Sequence, residues 1–121
     1  MIIKSYIAEQ NKNYLTYKSV LFYGPNLGLK NDFKKNIKSQ FSDRELYEYY
    51  QNDVIKNEES FFLDFLNISL FEKKKIFIIS QCNEKILNFV EKIIGKLSDQ
   101  KIFLFSDQLD KKSKLRNFFE K

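Results

Sequence analysis

Three short apolar runs constrain the fold more than anything else in this chain: "SVLFYG" at 19–24, "KIFIIS" at 75–80 and "KIFLFS" at 101–106. A strand with one wet face alternates apolar and polar residues, whereas a strand buried on both faces is apolar throughout. Between these runs lie segments with helical spacing. Leu29, Phe33, Ile37 and Phe41 recur along 27–41, and "NEESFFLDFLNI" at 57–68 opens with acidic residues, which a helix dipole favours in its first turn. In 83–97, Asn83 is placed to cap a helix whose apolar stripe is Ile86, Val90, Ile93 and Leu97, widened by Phe89 and Ile94. "ELYEYY" (45–50) reads as a further strand and "KKSKLRNFFEK" as a terminal helix. Doubly apolar strands alternating with helices predict a three-layer α/β domain of the nucleotide-binding type, a mostly parallel sheet with helices on both faces. At 121 residues, 1–121 forms one domain.

Composition removes several kinds of chemistry. The chain has no histidine, and so lacks the commonest general base near neutral pH and the commonest metal ligand. Its single cysteine, Cys82, excludes an internal disulfide and a multi-cysteine zinc site; with no histidine to activate it, Cys82 reads as a buried bystander, not a nucleophile. No apolar run reaches the ~20 residues that span a bilayer, and "MIIKSYIAEQNKNYL" has no signal-peptide core, so the expectation is a cytoplasmic protein without membrane contact. The net charge of +5 comes from scattered lysines, densest at 73–75 and 110–116. They read better as a solvated face than as a nucleic-acid stripe, because no basic row alternates with exposed aromatics.

The first strand-to-helix turn, "YGPNLGLKND" (23–32), stands where a phosphate-binding loop belongs. A working loop has the form GxxxxGK[ST]: backbone amides wrap the phosphates, lysine meets the terminal ones and a hydroxyl holds magnesium. Here Gly24 and Gly28 are one residue too close, Lys30 does not directly follow the second glycine, and Asn31 replaces the hydroxyl residue. An ATPase of this kind also ends its next core strand in paired acids, but "IFII" ends in Ser80 and Gln81. Gly24, Gly28 and Lys30 therefore form a degenerate, non-binding loop, with no cofactor and no catalytic or metal-holding residue. Asp107 and Asp110, after the last strand, read as turn and helix-capping residues.

"FYGPNLGLKNDF", "FLNISLFEKKKIFII" and "LFSDQLDKKSKLRNFFEK", in that order and spacing across essentially the whole chain, resemble the N-terminal AAA+-like domain of the delta subunit of the bacterial DNA polymerase III clamp loader. The resemblance implies a subunit without intrinsic catalysis, part of a DNA polymerase holoenzyme, that binds and opens the sliding clamp for loading onto primed DNA. It implies that other loader subunits are partners through a lid and collar, which this chain does not include, so the chain is expected to be an excised domain. DNA contact in the complex stays open.

The family's clamp-contacting element maps onto Ser69, Leu70 and Phe71. Read from the residues alone, Leu70 and Phe71 are an apolar pair on a connection, equally suited to covering the sheet end or to entering a partner's pocket. An aromatic side chain buries ~150–250 Å², enough for a binding hot spot. The alternatives are a P-loop-like nucleotide-binding enzyme, resting on Gly24 to Lys30, or another AAA+ relative. The delta-prime subunit ranks low, since it normally carries cysteine zinc ligands that one cysteine cannot supply.

Overall fold

The computed structural model describes residues 2–4, 19–24, 27–66, 75–96, 100–107, 109 and 112–120. Its strands are β1 (Ile2–Lys4), β2 (Ser19–Tyr23), β3 (Glu45–Tyr50), β4 (Lys75–Cys82) and β5 (Lys101–Ser106). Its helices are α1 (Leu27–Gln40), α2 (Gln51–Lys56), α3 (Glu58–Leu66), α4 (Leu87–Ile94) and α5 (Lys114–Glu120), with a 3-10 turn at Glu84–Ile86 ahead of α4. The five strands pair in the order β1-β2-β5-β4-β3, every pair parallel. This is the α/β architecture that the doubly apolar strands predict.

Each strand sends alternate residues to opposite faces, so two cores form. Val20, Phe22, Ile76, Ile78, Phe103 and Phe105 meet Phe33 and Ile37 of α1 on one face. Leu21, Tyr23, Phe77, Ile79, Ile102 and Leu104 meet the other helices on the opposite face, through Val54, Phe89, Val90, Ile93, Leu115 and Phe119. Phe22 anchors the first core, its ring stacked on Phe33 at 5.1 Å and on Phe105 at 4.7 Å.

Three elements differ from the sequence expectation. The three-residue β1 carries no periodic signal of its own and exists as a strand through pairing with Leu21–Tyr23. A separate helix, α2, turns directly off β3; Gln51 and Val54 are its buried residues, and α3 then begins at Glu58. The segment after β4 starts as a 3-10 turn, which Asn83 caps by accepting the Lys85 N–H at 2.9 Å. Of the expected stripe, Ile86, Val90 and Ile93 are buried, with Phe89 beside them; Ile94 is half-buried, and Leu97 lies outside the described residues.

The connections fix where a site can lie. From β2 the chain passes to α1 on one face of the sheet, and from the adjacent, parallel β5 it passes to α5 on the other. Neighbouring strands whose following helices go to opposite faces leave a crevice at their carboxyl ends, the usual ligand position in open α/β sheets.

Candidate functional site: a lysine-lined crevice at the switch point

A crevice of about 660 Å³ opens where this topology places it, walled by α1 and the ends of β4 and β5. Tyr23 and Ser106 stand side by side as the last paired residues of β2 and β5. The connection from β2 to α1 spans only residues 24–26, and Gly24 takes φ 142°, a backbone region that favours glycine. By Gly28 the helix has already begun, so the loop is shorter than a phosphate cradle needs.

Lys30 does not reach into open solvent. Its side chain is 7% exposed, and its ammonium donates to the Ser106 carbonyl at 3.2 Å and to Asp107 Oδ1 at 3.0 Å. The lysine at the phosphate-loop position thus ties α1 to the end of β5 across the switch point. Asp107 is 93% exposed and serves as that ion-pair partner. The cap expected from the aspartates is made elsewhere: Ser113 Oγ accepts the Arg116 N–H at 3.1 Å, and Glu84 receives the Ser113 hydroxyl and, at 2.9 Å, the Leu115 N–H. Asp110 lies outside the described residues.

One helical turn after Lys30, Lys34 enters the same crevice and donates to Ser80 Oγ at 2.6 Å. Ser80 is buried near the end of β4. Burial is the main reason the Lys34 pKa lies below the ordinary 10.5; Glu48 opposes that shift, while Lys30 and Lys38 add to it. Glu48 is itself paired with Lys38 at 2.8 Å. The Lys34 ammonium also lies 5.1 Å from the centre of the Phe105 ring.

The rest of the rim is neutral. The register of β4 against β5 shifts between Ile79 and Cys82, and Gln81 within this irregularity has φ 56°, a left-handed conformation for a residue with a side chain. Buried Gln51 holds the next residue in place: its amide donates to Asn83 Oδ1 at 2.9 Å and accepts the Asn83 N–H at 2.6 Å. Tyr50, 56% exposed, stands at the mouth. Cys82 is buried, its thiol donating to the Ile79 carbonyl at 3.3 Å, and burial pushes its pKa up to about 12, which disfavours the thiolate that nucleophilic chemistry uses. Among the described residues, no group of three or more His, Cys, Asp or Glu side chains is arranged to hold a metal ion.

Of the residues singled out from sequence, Lys30 lines the crevice, whereas Gly24 follows β2 and Gly28 lies in the first turn of α1, neither of them among its lining residues. Ser69, Leu70 and Phe71 lie between α3 and β4 in the chain, outside the described residues. Sequence reasoning missed Lys34 and Tyr50, and noted Ser80 and Gln81 only as the place where paired acids are missing. Lys34 had a signal, since it follows Lys30 by four residues and so shares its helix face; Tyr50 had none. No helix among the described residues is long and apolar enough to cross a membrane.

Fold and crevice together define a small α/β domain with an all-parallel sheet, whose crevice at the strand ends is lined by Lys30 and Lys34. Comparison with protein-family models, with curated proteins and with solved structures finds no match for the chain.

Proposed function

We propose that this chain is a non-hydrolysing AAA+-like domain of the clamp-loader delta type, which binds a sliding clamp through Ser69, Leu70 and Phe71 and takes part in opening it. The observation that carries the non-hydrolysing half is the Lys34–Ser80 contact at 2.6 Å. A magnesium ion at the end of β4 would have to displace a protein ammonium and would find a hydroxyl where hydrolysis needs carboxylates. Lys30, bonded to Ser106 and Asp107, supports the same reading.

The binding half rests on the resemblance of the three quoted segments and on the apolar pair Leu70–Phe71. Leu63, 61% exposed on α3, which precedes that segment in the chain, is a further apolar residue at the surface. Loader assembly and DNA contact belong to the same proposal and rest on the resemblance alone.

The deciding experiment is capture of a purified sliding clamp by the chain, before and after replacing Leu70 and Phe71 together with Ala. Loss of at least tenfold in affinity, with the fold intact by circular dichroism, is the expected outcome. Equal affinity in the double variant removes the plug assignment.

The rival nucleotide-binding enzyme draws on the glycine conformation of Gly24. It requires saturable binding of ATP with magnesium that Lys30→Ala weakens, and hydrolysis above background.

A further inference from the structure

We propose that the switch-point crevice is a metal-independent site for a phosphoryl group, centred on Lys34 and Ser80 and distinct in mechanism from a magnesium–nucleotide site. The inference stands apart from the clamp-binding reading and can fail or succeed without it.

Four observations converge on this assignment. The crevice is roomy enough at about 660 Å³ for a small phosphorylated molecule, and it lies where open parallel sheets take their ligands. Lys34 brings a positive charge into it that is partly withdrawn from water, and its hydrogen-bond partner among the described residues is the neutral Ser80 hydroxyl. A desolvated cation facing a neutral acceptor gains most from an incoming anion, because charge-assisted hydrogen bonds are about twice as strong as neutral ones. Lys30 contributes a second positive charge nearby, which its ion-pair partner Asp107 offsets from an almost fully exposed position.

The remaining lining supplies neutral polar groups instead of repulsion. Asn31, Gln81 and Asn83 carry side-chain amides, and α1 has no acidic residue in its first turn. Gln81 is held in a left-handed conformation beside the site, the kind of backbone irregularity that re-aims a side chain at the end of a strand. The same features argue against magnesium as a required bridge. A hydrated divalent cation prefers carboxylate oxygens, and here it would meet two ammonium groups and the single carboxylate of Asp107, already paired with Lys30.

Two sources could deliver the phosphoryl group. One is inorganic phosphate or a small phosphorylated metabolite; the other is a nucleotide, whose base could stack on the exposed Tyr50 ring at the mouth. The shared chemistry is the phosphoryl anion, and the two are separable by experiment.

The 121-residue chain is titrated with inorganic phosphate, AMP and ATP by calorimetry, each in EDTA and again with excess magnesium. The expected result is saturable binding in EDTA, weaker in magnesium, which neutralises the anion. Lys34→Gln is expected to weaken binding at least tenfold and Lys34→Arg to retain it, while Lys35→Gln, on an exposed neighbour outside the crevice, leaves it unchanged. Chemical-shift changes at Ser80 and Gln81 on titration give a readout that does not depend on any variant folding. AMP binding more tightly than phosphate, with the difference abolished in Tyr50→Ala, identifies a nucleotide; equal binding identifies the simple phosphoryl anion.

Absence of saturable binding by every probe at 10-fold above ~1 mM overturns the proposal, since that is the weakest affinity a specific small-molecule site is expected to show. A strict requirement for magnesium, or equal weakening by Lys35→Gln, overturns it as well.

Discussion

The ammonium of Lys34 lies 2.6 Å from the hydroxyl of Ser80, so α1 and the end of β4 are joined by a charge that folding has partly removed from water. Because burial lowers the folded pKa of Lys34 below 10.5, the unfolded chain holds this proton more firmly than the folded one. Between the lowered value and 10.5, stability from this group therefore rises with pH. Urea unfolding of the wild type and of Lys34→Met at pH 7 and pH 10 should show the difference between them moving in favour of the wild type at the higher pH. A difference that stays constant, or moves the other way, contradicts the burial of the charge.

The thiol of Cys82 has the opposite dependence. Its folded pKa is raised to about 12 from 9.0, so its contribution to stability is complete below pH 9 and is lost as pH climbs towards 12. Wild-type stability should fall more steeply above pH 9 than that of Cys82→Ala, by at most ~1.4 kcal/mol per pH unit. At pH 8 a thiol-specific reagent should label the folded chain far more slowly than the chain in denaturant. Rapid labelling of the folded form would show the thiol to be accessible.

Gln81 at φ 56° gives a direct test of backbone conformation. Left-handed backbone costs a residue with a Cβ roughly 1–2 kcal/mol, and glycine escapes most of that. Gln81→Gly should leave stability equal or raise it by up to ~1 kcal/mol, the gain limited by glycine's greater freedom in the unfolded chain. Gln81→Val, branched at Cβ, should lower it by ~1–2 kcal/mol or more. Thermal melts of the three proteins settle the order.

Glu84 holds α5 from a distant part of the chain, through the Ser113 hydroxyl and the Leu115 N–H. Replacing a capping group with Ala costs typically ~1 kcal/mol, and up to ~2 where the cap is well formed. Glu84→Ala is expected to fall in that range. Hydrogen exchange should show the loosening concentrated in α5, where Leu115 and Phe119 are buried. Uniform loss across the sheet would mean that the carboxylate does not act as a local cap.

Much of this molecule was legible from local pattern. The runs 19–24, 75–80 and 101–106 had to be strands buried on both faces, because only such strands leave no polar position in the run; β2, β4 and β5 lie there. Parallel pairing and helices on both faces followed from the alternation of those strands with amphipathic segments. The missing acids at Ser80–Gln81 and the shortened spacing of Gly24 and Gly28 were likewise readable, since they concern which chemical groups are present.

What the tertiary structure decided were contacts between residues far apart in the chain. The pairing of β1 with β2 could not be seen in three residues, because its hydrogen bonds belong to the partner strand. Lys30 reaches across 77 positions to Asp107, and Lys34 across 46 to Ser80; neither partner is implied by the helix that carries the lysine. The crevice brings α1 together with the ends of β4 and β5, a juxtaposition set by strand order and by the face on which α1 packs. Sequence determined which side chains are available to the site; packing of the sheet determined which of them meet there.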